Sequence, residues 1–194
     1  MKYMSKYVAE LLESEGVIKQ NDVDVCRYGL EVFLSSFVEI LTILVVSALL
    51  NNFIETVLFF AGFVPLRVYA GGYHANTKLR CYMVSVLVYG LFSVVLIVLP
   101  LHYYTYVNLI SCVFSLIMVW KYAPIIHSRR RINTAEKKRY KKISVGIAVF
   151  QAVIIVAMTM CTKNNIFVFS FSIGQGMAVL SMLAAIIKNK VDLA

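Results

Sequence analysis

About six apolar runs, each near the ~18 to 20 residues that a helix needs to cross a bilayer, follow one another along this 194-residue chain with only short polar connections between them. They fall at roughly Leu30–Leu50, Phe53–Ala70, Tyr82–Leu99, Tyr104–Tyr122, Ile143–Met160 and Ile166–Ile187. Hydrocarbon offers the backbone no hydrogen bonds, so such runs must satisfy themselves as helices. With 60% hydrophobic and 15% charged residues, the chain leaves no room for a separate soluble domain. The expected fold is all-α and integral to the membrane: an interfacial amphipathic helix and linker over 1–27, then a bundle over 28–190, forming a single unit across 1–194.

The first twenty residues place Tyr3, Met4, Tyr7, Val8, Leu11 and Leu12 at helical spacing, with Lys2, Lys6, Glu10 and Glu13 on the remaining surface. That pattern suits a helix lying on a membrane, and also a solvent-facing helix packed on the protein's own loops. The long apolar stretch starts only after Arg27, so no cleavable signal peptide is expected. Cys26, Cys81, Cys112 and Cys161 show neither CxxC spacing nor a cysteine-dense loop, which argues against a disulfide framework or a structural zinc site.

Charge sets the topology. The second run carries Pro65 and is short enough to be re-entrant. Six full crossings, however, place Lys2, Lys6, Lys19, Arg27, Arg67, Lys78, Arg80, the basic connection 121–142, Lys188 and Lys190 on one face, whereas a re-entrant second run would send that connection to the face opposite the basic amino terminus. The positive-inside bias therefore selects six crossings with both termini cytoplasmic. The net charge of +9 is explained by topology and anionic lipid headgroups, with no nucleic-acid partner required.

Between the second and third runs lies Arg67-Val-Tyr-Ala-Gly-Gly-Tyr-His-Ala-Asn-Thr-Lys-Leu-Arg-Cys81, a polar break holding a base and a nucleophile. A cysteine peptidase needs a thiolate, a group that takes and returns a proton, and donors for the oxyanion. Cys81 and His74 supply the first two, and Arg67, Lys78 and Arg80 would favour the thiolate if they approach it. A continuous helix would separate residues 74 and 81 by about 10 Å along its axis, so the chain must bend, with Gly71-Gly72 supplying flexibility and Cys81 in the first turn of the third span. Asn76, Ser85, Glu31 and Glu39 are the candidates for a third group, and a dyad is the simpler assignment. Arg67 either meets a substrate carboxylate or pairs within the protein, with Glu31 or Glu55.

The pattern Arg-x-x-Ala-Gly-Gly-x-His-Ala, with a cysteine seven residues after the histidine, resembles the AgrB family of membrane cysteine endopeptidases that process bacterial quorum-sensing propeptides. The resemblance implies Cys81 as nucleophile, His74 as general base and acid, and Arg67, Gly71, Gly72 and Ala75 as supporting positions. It implies an AgrD-like propeptide as substrate, cleaved through a thioester on Cys81 and cyclised to a thiolactone or lactone at the inner face of the bacterial cytoplasmic membrane. A homodimer and the absence of metal or organic cofactor are expected on the same ground. The basic connection, with Arg129, Arg130, Arg131, Lys137, Lys138, Arg139, Lys141 and Lys142, is a candidate grip for the propeptide's acidic tail. Glu31, Glu39 and Glu55 keep a multi-span transporter or peptide exporter open as the alternative.

Overall fold

In a computed structural model that describes residues 2–73, 77–125, 133–162 and 165–191, the chain is 88% helical with no strand among those residues. Seven helices follow in order: α1 (Lys2–Ser14), α2 (Val23–Leu49), α3 (Phe53–Ala70), α4 (Lys78–Val98), α5 (Tyr104–Tyr122), α6 (Thr134–Cys161) and α7 (Ile166–Val191). Short 3-10 turns at Gln20–Asp22 and Leu101–Tyr103 lead into α2 and α5. The six helices from α2 to α7 are long and apolar enough to cross a membrane, as the hydropathy pattern predicts.

Several helices begin before their apolar runs do. α2 starts at Val23 rather than Leu30, where Asp24 pairs with Arg27 at 3.1 Å. α6 starts at Thr134 rather than Ile143, behind a capping box in which the Asn133 N–H donates to Glu136 Oε2 at 3.1 Å. Apolarity marks only the part of a helix that suits lipid. Propensity and caps carry the same helix on through Lys137, Lys138 and Arg139, all good helix formers.

α3 is the central post. Its 18 residues form one helix about 27 Å long despite Pro65. One face joins Ile43, Tyr89 and Phe92 around Phe59, whose ring stands 4.6 Å from that of Phe92. Leu66 and Ala70 join Val119 of α5, Ala123 just after it, Ala148 of α6, and Ala178, Val179 and Met182 of α7. α7 lies hardest against α3, crossing it at Gly62 and Gly174, while α2 and α4 sit at the periphery.

Proline has no N–H, so Pro65 withdraws the donor that would normally reach the Ala61 carbonyl. Gln151 of α6 answers: its Nε2 donates to Gly62 O at 3.0 Å and to Ala61 O at 3.4 Å. Other polar ties cross the bundle in the same way. Asn108 Nδ2 donates to Thr159 Oγ1 at 3.3 Å, Ser111 Oγ to Ser172 O at 2.9 Å, and Tyr89 Oη to Asn52 Oδ1 at 3.0 Å. Each satisfies a group that neither lipid nor an apolar neighbour could.

α1 packs on α2 through Ser5 and Ala9, both fully buried. Tyr3, Met4, Tyr7 and Leu11 lie on the opposite side of the helix, exposed. Four of the six residues of the apolar stripe expected from the sequence therefore face away from the protein body, while Val8 and Leu12 are half-buried.

Candidate active site

α3 ends because Gly71 takes φ +83°, a left-handed conformation that stops the helix, and its Cα lies so close to α5's exit that an added Cβ would stand 2.3 Å from Ile125 O. The sequence suggests flexibility for this Gly-Gly pair; the structure assigns it handedness and space instead. The Ile125 N–H donates to Ala70 O at 2.9 Å, and the Tyr73 N–H donates to Ser181 O at 2.9 Å and to Ser181 Oγ at 3.2 Å. The loop after α3 is thus stapled to the segment that leaves α5 and to Ser181 within α7. The Tyr73 ring also carries the Lys188 ammonium at 5.1 Å from its centroid.

Arg67 stands in the last turn of α3, where a cation suits the helix carboxyl end. Its Nη2 donates to the Tyr73 carbonyl, and its Nη1 and Cζ fill the space beside Gly72, where a Cβ would collide with them. Nη1 is shut off from solvent and has no hydrogen-bond partner among the described residues. Glu55 sits in the first turn of α3, twelve residues away and about 18 Å along the axis, so it cannot pair with Arg67.

Cys81 occupies the first turn of α4, as its sequence context predicts. Thr77 caps that helix: its Oγ1 accepts from the Arg80 N–H at 3.3 Å and its carbonyl from the Cys81 N–H at 3.1 Å. Of the third-group candidates, Ser85 stands one turn beyond Cys81 on α4, near Glu39 of α2. His74, Ala75 and Asn76 lie outside the described residues.

The tail-grip residues divide in the same way. Lys137, Lys138, Arg139, Lys141 and Lys142 are all exposed on the first turns of α6, with Tyr140 turned inward toward Tyr69, ring centroids 6.1 Å apart. They stand at the end of the bundle that also holds Arg67 and Cys81, whereas Arg129, Arg130 and Arg131 lie outside the described residues. A cleft between α5 and α6 at this end is walled by Leu116, Trp120, Val145 and Val149, with Lys121 and Lys141 beside it.

Four contributors escaped sequence reasoning. Ser181 appears in the sequence only as one of several small residues, and Thr77 as one polar residue in a loop. Gln151 and Gly62 sit in apolar runs where the hydropathy pattern gives them no distinction. A readable signal exists for Gln151 alone, since a proline inside a span implies an orphaned carbonyl that some neighbouring donor must meet.

The family model AgrB, described as Accessory gene regulator B, matches residues 5–182. AgrB-like protein 2 of Clostridium perfringens (strain 13 / Type A) is 24% identical over 150 residues, covering 74% of this chain and 70% of that protein. Accessory gene regulator protein B of Staphylococcus aureus (strain bovine RF122 / ET3-1) is 29% identical over 119 residues, 61% of this chain and 63% of its own length. Protein FsrB of Enterococcus faecalis (strain ATCC 47077 / OG1RF) is 33% identical over 102 residues, 50% of this chain and 40% of its own. No solved structure matches the chain.

Proposed function

The chain belongs to the AgrB family, Accessory gene regulator B, and from that premise we propose that it is a multi-pass membrane cysteine endopeptidase acting on an AgrD-like propeptide in quorum-sensing signal production. Cys81 is the nucleophile and His74 the proton carrier. Attack forms the S–C bond and moves the carbonyl π pair onto oxygen. Collapse breaks the C–N bond, and the departing amine takes the proton from His74, releasing the acidic tail and leaving a thioester on Cys81. A cysteine or serine of the propeptide then attacks the thioester, closing the ring and returning Cys81 as a thiolate. Thioester exchange is nearly balanced in energy, so cyclisation competes with hydrolysis when the internal nucleophile is held close and water away.

The observation that carries this reading is the placement of Cys81 in the first turn of α4, directly behind the Thr77 cap, with Arg67 pinned to the loop that leads to His74. The exposed lysines of α6 at the same end suit an acidic tail and anionic lipid. The positive-inside bias turns this end to the cytoplasm. The whole chain acts as one peptidase domain, the family resemblance carries a homodimer with it, and the chemistry calls on no metal or organic cofactor.

The test is co-expression with an AgrD-type propeptide, followed by mass spectrometry of wild type, Cys81→Ala, Cys81→Ser and His74→Ala membranes. Wild type releases the tail and shows an acyl adduct at Cys81. Cys81→Ala releases none, and His74→Ala slows release by about 100- to 10,000-fold. Equal tail release by Cys81→Ala removes the peptidase reading and favours the transporter alternative, for which Glu31, Glu39 and Glu55 on α2 and α3 provide the physical ground.

A further inference from the structure

The cleft between α5 and α6 has an apolar body and a cationic mouth. α5 runs toward the basic end of the bundle and α6 runs away from it, so Lys121 in the last turn of α5 and Lys141 in the opening turns of α6 line the cleft at that end. Beyond them Leu116 and Val145 form the walls, over a floor of Val119 and Ala148, both buried. On α6, Lys141, Val145, Ala148 and Val149 follow one another at spacings of three and four, so the groove runs about 12 Å along the helix from the lysine into the span. Its volume is about 670 Å³, within the ~300 to 1,000 Å³ of sites that hold small organic ligands. Among the described residues the ion pairs are Lys6–Glu10 and Arg27–Asp24, so no carboxylate there neutralises Lys121 or Lys141. The Lys121 ammonium stands 5.3 Å from the centroid of the Tyr122 ring.

We propose that this cleft is a binding site for one anionic phospholipid, with an acyl chain laid along Leu116, Val145 and Val149 and the phosphate between Lys121 and Lys141. The site goes beyond the peptidase reading and does not depend on it: α4, which carries Cys81, packs with α2 and against Phe59 of α3, whereas α5 packs chiefly with α6 and α7. An amphiphile with a negative head matches both parts of the cleft. The lysine stems lie on apolar surface while their ammonium groups reach the headgroup level, and the exposed Trp120 beside them suits the same interface.

Other occupants fit less well. A second copy of this chain inserted with the same topology brings its own Lys121 and Lys141 to the same depth, which sets like charges against each other across a symmetric contact. An extended acidic peptide would neutralise the lysines but would leave its backbone groups facing hydrocarbon along the lower cleft.

Trp120 is the single tryptophan of the chain and so reports on this cleft alone. The full chain is reconstituted in phosphatidylcholine vesicles that contain increasing amounts of lipid brominated in the acyl chain near the headgroup, either phosphatidylglycerol or phosphatidylcholine. Bromine quenches indole fluorescence at contact range, and the ratio of the two half-saturating mole fractions gives the headgroup preference. Wild type is expected to prefer phosphatidylglycerol by about 10- to 30-fold, and Lys121→Gln and Lys141→Gln are each expected to lower that preference about fivefold. Lys138→Gln combined with Lys142→Gln removes two charges from the same end, neither of which lines the cleft, and is expected to leave the preference within about twofold of wild type.

Equal quenching by the two brominated lipids overturns the proposal. So does a loss of preference in the Lys138→Gln and Lys142→Gln pair as large as in Lys121→Gln and Lys141→Gln together, which would report surface charge rather than a site. Quenching by neither lipid would show the cleft closed by a second copy, and a preference abolished by added AgrD-type propeptide would assign the cleft to the peptide; either result overturns the lipid site. All of these outcomes leave the peptidase reading standing, since Cys81→Ala tests it separately.

Discussion

Gly62 of α3 and Gly174 of α7 bring two helices together main chain to main chain: a Cβ on Gly62 would stand 2.2 Å from Phe171 O, and one on Gly174 2.1 Å from Phe59 O. Both obstacles are backbone and cannot swing aside. Gly174→Ala and Gly62→Ala should each destabilise the bundle by about 1–3 kcal/mol or more. Gly90→Ala and Gly146→Ala, where an added Cβ meets nothing within 4 Å, should be neutral or stabilising by up to about 1 kcal/mol. Thermal unfolding in detergent, read by intrinsic fluorescence, separates the two pairs.

Gln151 compensates for Pro65, so the two should couple. Gln151→Leu leaves the Ala61 and Gly62 carbonyls without that donor and should cost about 1–3 kcal/mol. In a Pro65→Ala background residue 65 regains an N–H for Ala61, and the same substitution should cost markedly less. A double-mutant cycle on chemical denaturation measures the difference; strict additivity would show that Gln151 has a different role.

The lysines of α6 should act on binding rather than on chemistry. Replacing Lys137, Lys138, Lys141 and Lys142 together by Gln should raise KM for an acidic-tailed propeptide several-fold at low salt with little change in kcat. The difference should vanish at 1 M salt, where the screening length is about 3 Å. A fall in kcat that persists in high salt would refute a tail-gripping role.

On α1, Met4→Asp with Leu11→Asp places charge on the exposed apolar stripe, away from the Ser5 and Ala9 contact with α2. If that stripe rests in the headgroup region, the double variant should make α1 far more accessible to protease in intact vesicles and leave the bundle's unfolding temperature unchanged. Unaltered protection would place the stripe elsewhere.

The membrane fold was legible because lipid imposes a simple rule: long apolar runs such as those ending at Leu50 and Leu99 have no other stable use. Helix starts were less so, since the residues that begin α6 at Thr134 are polar and obey capping and propensity rather than hydropathy. In the site, the placement of Cys81 in a first turn followed from its position at the edge of an apolar run. The actual use of Gly71 and Gly72 did not, because a Gly-Gly pair reads alike whether it supplies freedom, a left-handed turn or a hollow for a guanidinium. Ser181 lies more than a hundred residues from the Tyr73 it holds, and no local pattern reports such a tie.

Half of the membrane-length stretch of α7 is buried, against 11% for α2. On the outer helices a side chain facing hydrocarbon has only to be apolar, and valine, leucine, isoleucine and phenylalanine serve nearly alike. Lineages can therefore drift freely over most of α2 and α4, while α3 and α7, pressed together through glycine and main chain, have few neutral exchanges open to them. Identities of 24–33% to proteins of three bacterial genera are what such an uneven surface permits. An alignment weighted toward the α3–α7 seam should detect distant kin better than one that scores every span equally.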